Sequence, residues 1–159
     1  MYDSLIFDID GTLWNACAAT AIGWNKALQE LGADVRVTAE SLESVTGKPY
    51  EECVEILLPG LVEKYPNALN LLEEREHTAL KAHGGELYAG VAKGLQKLST
   101  KYKLFIVSNC QSSYLDIFFK VSKLKRLLTG FDCYESSGMT KEEMLIKMKK
   151  DYRLTSPVY

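Results

Sequence analysis

The sequence predicts an α/β protein with a parallel, doubly wound sheet interrupted after its first strand by a helical module. Three observations carry this expectation. Leu5-Ile6-Phe7 and Leu104-Phe105-Ile106-Val107 are short, unbroken apolar runs of the kind strands show when both faces are buried. Between them lie four helical pieces in succession with no strand pattern, which suggests a small inserted bundle. After residue 86 helix and strand alternate. At 159 residues the chain suits one core domain with a modest insertion.

Taken in order, the first strand ends in Asp8-Ile9-Asp10-Gly11. Residues 16–31 are rich in Ala, Leu and Trp, with Ala21, Trp24, Ala27, Leu28 and Leu31 at helical spacing and Gly32 as a C-terminal stop. A short helix is expected from Thr38 or Ala39 to about Thr46-Gly47. Another spans residues 50–58, where Pro49 is tolerated at a first turn. Pro59-Gly60 breaks it. Residues 61–83 read as helix with an interruption at Pro66, closed by Gly84-Gly85. A helix over 91–98 follows Gly90, and the second strand ends in Ser108-Asn109. Residues 112–119 read as helix and 124–128 as a turn. Residues 131–134 form a weaker strand. Thr140 with Glu143 makes a capping box that opens a helix through Asp151. Pro157-Val158-Tyr159 could begin a fourth strand.

Composition narrows the function classes. Apolar residues at 47% and charged residues at 25% are ordinary for a globular domain. A net charge of −2 supplies no electrostatic reason to expect nucleic acid or an anionic membrane as partner. No apolar stretch approaches a membrane span, and the first residues lack a signal-peptide pattern. Cys17, Cys53, Cys110 and Cys133 are scattered without metal-ligand spacing, so zinc is not expected and reduced cytoplasmic thiols are.

The chemistry concentrates in the first loop. Asp8 and Asp10 are two apart, so their side chains share a side while the strand continues. Ligands of open α/β sheets bind at the carboxyl ends of strands, where these acids fall. Two close carboxylates repel, and a divalent cation would relieve that repulsion. Asp-Gly is also a common turn pair. A calcium loop needs Gly at its sixth position and Glu at its twelfth, but counting from Asp8 gives Leu13 and Ala19. Ser108, with the Asn109 N–H, could hold a phosphate oxygen at a helix start, though a helix cap is the commoner use of such a pair. Lys141 opens a helix, where the macrodipole opposes a cation; by itself it could be one more solvated lysine of a Lys-rich helix.

Asp8-Ile9-Asp10-Gly11-Thr12-Leu13 resembles the first motif of the haloacid dehalogenase (HAD) superfamily, Asp-x-Asp-Gly-Thr/Val-Leu. Ser108 matches the second motif, at the end of the next sheet strand, and Lys141 the third, at the start of a late helix. A helical module between the first two motifs resembles the phosphoglycolate-phosphatase-like branch. The resemblance implies a HAD-like Rossmannoid parallel sheet formed by residues 1–14 and 86–159, with residues 15–85 as a helical cap. It implies a Mg²⁺-dependent phosphatase acting on a small phosphorylated metabolite. Asp8 would be the nucleophile forming an aspartyl-phosphate, and Asp10 the acid and base. Thr12, Ser108, Asn109 and Lys141 would bind phosphate, and the Asp8 carboxylate with the Asp10 carbonyl would hold the metal. Asp at position 10 favours a phosphate ester over a halo-acid. In the cap, Lys48 in Thr46-Gly47-Lys48-Pro49 could meet a second anionic group of the substrate, or be an exposed loop lysine. Trp14 and Trp24 are expected at the seam between cap and core, and His77 and His83 in solvent.

The family's fourth motif, which supplies further metal-binding acids after a strand beginning near Val158, is not found before Tyr159. The C-terminal part of the core sheet is therefore expected to be missing, leaving the first strand without one neighbour. Two other readings follow on the same scaffold: a catalytically inactive or truncated domain that binds phosphate or a partner protein, and a phosphomutase.

Overall fold

The computed structural model describes residues 2–159. The chain divides into two compact units, Asn15–Glu86 and the pair of segments Met1–Trp14 and Leu87–Tyr159. In chain order, β1 (Ser4–Phe7) and β2 (Trp14–Asn15) precede five helices: α1 (Cys17–Leu31), α2 (Ala39–Glu43), α3 (Tyr50–Leu57), α4 (Leu61–Lys64) and α5 (Ala68–His83). Next come β3 (Glu86–Leu87), α6 (Val91–Leu98), β4 (Lys103–Ser108) and α7 (Ser112–Ser122). The chain closes with β5 (Gly130–Cys133), α8 (Tyr134–Ser137), α9 (Lys141–Asp151) and β6 (Pro157–Val158).

The α/β unit is built on a parallel sheet in the order β5-β4-β1-β6. Leu104, Phe105, Ile106 and Val107 of β4 are fully buried, as an apolar run without alternation requires. Each such side chain contributes about 1.5–3 kcal/mol by leaving water. On one face Ile6, Phe105 and Val107 pack with Met144 and Met148 of α9 and with Leu154. A chain of ring contacts runs from Trp14 to Phe118, then Phe119, then Phe131. The register pairs Ser108 with Cys133, so β4 and β5 end level, and Phe7 with Ile106, so β1 ends just short of them and Asp8 continues toward the same edge.

One expectation about the sheet is corrected. β1 is not left without its second neighbour, because Pro157 and Val158 pair in parallel with Ser4 and Leu5. Asp3 secures that arrangement: its carboxylate accepts from the Thr155 N–H, the Thr155 hydroxyl at 2.8 Å and the Ser156 N–H at 3.2 Å. These bonds hold its acid well below the usual carboxylate range. The short strands β2 and β3, which form a separate two-stranded sheet, and the single turn α8 had no signal in the sequence.

In the helical unit α1 ends at Gly32 in the left-handed conformation, and the interruption at Pro66 separates α4 from α5. Thr38 caps α2 through a box closed by Ser41. Gly23 sits where α1 meets α5, so close that an added Cβ would lie 2.5 Å from Glu76 Cα. Beside it the buried Glu76 carboxylate accepts from the Thr20 hydroxyl at 2.9 Å and the Trp24 indole at 3.0 Å. Trp24 is buried in this unit, edge-on to Tyr50, and Trp14 is buried in the α/β unit, edge-on to Phe118. His77 also departs from expectation: its side chain is only 12% exposed, 4.0 Å from Glu73, whereas His83 is exposed.

Candidate active site

The strand does not carry Asp8 and Asp10 as a continuous ladder; it ends at Phe7. The N–H groups of Thr12, Leu13 and Trp14 converge on the Ile9 carbonyl at 3.1, 2.8 and 3.2 Å. Gly11 makes this possible by adopting φ +74°, a region costly for any side chain. The tight loop still keeps the acids close enough for the charge on Asp8 to act on Asp10.

The two carboxylates meet different surroundings. Asp8 Oδ1 accepts from the Ile9 N–H at 2.8 Å, and Oδ2 lies 2.5 Å from Lys141 Nζ. Lys141 is the first residue of α9, whose start is fixed by the Thr140–Glu143 capping box. Burial lowers the Lys141 pKa, but the hydrogen bonds and charges of Asp8 and Tyr159 together outweigh this, and the net shift is upward. The unfavourable helix dipole at this position is thus offset by a partly buried ion pair. Asp10 instead accepts, through Oδ1, from the Tyr114 hydroxyl. Burial pushes the Asp10 acid up to about 6; the Tyr114 bond pulls against this and Asp8 adds to it. A carboxyl in that range can exchange a proton near neutral pH, while its neighbour stays paired to a cation.

Ser108, the last residue of β4, is buried, and its Oγ accepts the Cys110 N–H at 3.1 Å. It is not a helix cap: α7 begins after Gln111, and the Ser112 N–H is taken by Glu135 Oε2 at 2.8 Å. Asn109 follows at the same strand end, and Thr12 is exposed within the loop. Asp8, Asp10, Thr12, Ser108, Asn109 and Lys141 thus lie at the carboxyl ends of β1 and β4 and the start of α9, within one unit. Lys48 lies in the helical unit, where its ammonium is 2.5 Å from Glu52 in an exposed pair one helical turn apart.

Sequence reasoning missed two features here. Tyr114 and Trp14 join Asp10 in a hydrogen-bonded chain, with Trp14 Nε1 donating to the Tyr114 oxygen at 3.0 Å. Cys110 and Cys133 also meet: Cys110 hydrogen-bonds to Cys133, burial and this bond push the Cys110 thiol up, and the same bond pulls Cys133 down to about 5. Spacing alone offered no signal for either, since both join residues far apart in sequence.

As a metal site, the loop supplies hard oxygen donors from Asp8 and Asp10. Among the described residues no group of three or more His, Cys, Asp or Glu side chains is placed to hold a metal ion. Magnesium is commonly held by one or two carboxylates, with phosphate and water oxygens completing its octahedron, so this donor set fits it and not a softer metal.

Residues 5–156 match the family model described as haloacid dehalogenase-like hydrolase. No curated protein sequence matches the chain. Solved structures do. A hydrolase of the haloacid dehalogenase-like family from Streptococcus pneumoniae is 18% identical with a TM-score of 0.77, over 98% of this chain and 73% of that one. A structure described as a predicted phosphoglycolate phosphatase from Haemophilus somnus is 15% identical at the same TM-score, over 96% and 72%. YfnB from Bacillus subtilis, described as a HAD-hydrolase and bound to magnesium, is 20% identical with a TM-score of 0.63, over 91% and 72%. At these identities the likeness shows the fold, while the family model spans nearly the whole chain. On that ground, the chain belongs to the haloacid dehalogenase-like hydrolase family.

Proposed function

We propose that the protein is a Mg²⁺-dependent phosphatase that hydrolyses a small phosphate monoester through an aspartyl-phosphate on Asp8. The observation that carries this reading is the division of labour between two neighbouring acids, one paired to Lys141 and the other held by the Tyr114 hydroxyl. An Asp8 oxygen attacks phosphorus as the bond to the ester oxygen breaks, and protonated Asp10 delivers its proton to the departing alkoxide. Water then attacks the same phosphorus with Asp10 as base, and the bond from phosphorus to Asp8 breaks to release phosphate. Lys141, the Thr12 hydroxyl, Ser108 and the Asn109 N–H hold phosphoryl oxygens and balance their charge. The Asp8 carboxylate and Asp10 carbonyl would hold magnesium, which would supply charge neutralisation for the anionic substrate.

Residues 15–85 act in this reading as the cap that selects the substrate, with Lys48 as a candidate contact for a second anionic group once it leaves Glu52. No helix is long and apolar enough to cross a membrane among the described residues. Cysteines held outside any disulfide among the described residues suit a cytoplasmic setting.

The test is phosphate release from p-nitrophenyl phosphate, with Mg²⁺ or with chelator, by the chain and by its Asp8→Asn variant. Release that requires Mg²⁺ and vanishes in the variant is expected. No release from the parent chain sinks the enzyme reading in favour of a binding domain. With a sugar phosphate as substrate, an isomerised product in place of free phosphate would mark a mutase.

A further inference from the structure

The α/β unit contains a polar chain that the proposed chemistry does not by itself require. Trp14 is fully buried and Tyr114 nearly so, with their rings edge-on at 6.1 Å. The Trp14 indole N–H donates to the Tyr114 oxygen at 3.0 Å. An indole has one donor and no acceptor, so it fixes the phenol oxygen as the receiving atom. The single phenol proton must then be given elsewhere, and the Asp10 Oδ1 atom is there to take it. Phe118 also stands edge-on to the indole at 5.1 Å, so Trp14 cannot turn without opening a void. Order thus passes from a packed indole to a hydroxyl to one oxygen of the acid, and the indole also acts on that acid itself.

We propose that Tyr114 is a positioning residue that dedicates Asp10 Oδ1 to the Tyr114 hydroxyl, so that Oδ2 is the oxygen that transfers the proton to the leaving group. Three atoms carry this: Trp14 Nε1, Tyr114 Oη and Asp10 Oδ1. The inference rests on the phosphatase reading and adds to it a residue and a direction. A carboxyl whose Oδ1 already accepts a hydrogen bond places its own proton on Oδ2, and a fixed torsion keeps that proton aimed. Tyr114 keeps its own proton throughout; it gives orientation, not a proton.

The experiment compares Tyr114→Phe with the parent chain on p-nitrophenyl phosphate, phenyl phosphate and ethyl phosphate, reading kcat/KM for each. This ratio reports formation of the aspartyl-phosphate, the step in which the leaving group takes its proton. Phenylalanine keeps the ring packing and removes only the hydroxyl. General-acid assistance is worth about 10²–10⁴-fold, and misaiming it forfeits part of this. The expected loss is about 10–100-fold for ethyl phosphate, less for phenyl phosphate, and about 2–3-fold for p-nitrophenyl phosphate, whose leaving group needs little protonation. Trp14→Phe is expected to give the same graded pattern at smaller amplitude, and it carries the test if Tyr114→Phe does not fold. A loss equal across the three esters, or no loss, overturns the proposal and leaves Tyr114 a packing residue. A parent chain that releases phosphate from none of them overturns the phosphatase reading and this inference together.

Discussion

Replacing Gly23 by alanine tests the helical unit at its tightest point. A Cβ there would lie 2.5 Å from Glu76 Cα, 2.6 Å from Arg75 O and 2.7 Å from Arg75 C. Carbon atoms rest at about 3.5–4.0 Å, so α1 and α5 would have to part by roughly 1 Å. All three atoms are backbone and cannot turn aside. Overpacking of this kind costs about 1–3 kcal/mol. The shift would also lengthen the bonds from Thr20 and Trp24 to Glu76, each worth about 1 kcal/mol. Against this, alanine gains about 0.8–1.0 kcal/mol in helix propensity. The net expectation is a destabilisation of about 2 kcal/mol. Gly94 in α6 provides the opposite case, since a Cβ there meets nothing within 4 Å. Gly94→Ala should stabilise by about 0.8–1.0 kcal/mol through propensity alone. Urea unfolding of both variants, followed by far-UV circular dichroism, reads the two signs side by side. A Gly23→Ala variant as stable as the parent would refute the close approach of α1 and α5.

Lys141→Ala should lower kcat for phosphate release by about 10²–10³-fold, the loss seen when a preorganised charge-stabilising group is removed; steady-state kinetics showing less than about a threefold change would remove Lys141 from the site. Asp3→Ala should weaken the chain at neutral pH by releasing the Thr155 and Ser156 bonds. The Asp3 acid is lower in the folded state than its ordinary 3.8, so its stabilisation is present above that pH and fades as pH falls toward the folded value. The gap between the urea midpoints of parent and variant should therefore hold from pH 7 to about pH 4 and narrow below it toward pH 2.5; a gap unchanged down to pH 2.5 would show that packing, not charge, is at work. Lys48→Ala should leave helical-unit stability within about 1 kcal/mol, as expected for an exposed pair with Glu52, and a larger drop in the urea midpoint would contradict that reading.

The sequence alone determined the elements whose causes are local. Two unbroken apolar runs read as buried strands, Gly32 stopped α1, Pro66 divided α4 from α5, and Thr140 with Glu143 opened α9. The six-residue acidic motif, with Ser108 and Lys141, indicated the family because each lies at an element boundary recognisable from its neighbours. What only the tertiary structure decided are pairings between residues distant in the chain. Nothing local could say that Tyr114 would reach Asp10, that Cys110 would meet Cys133, or that Pro157-Val158 would flank β1. Nor could spacing assign Trp24 to a buried carboxylate within its own helical unit. Local propensity acts over a turn or a cap, whereas these contacts are fixed by which faces the sheet and helices bury. The separate surroundings of Asp8 and Asp10 are of the second kind: the motif supplies two acids, and the fold makes them different.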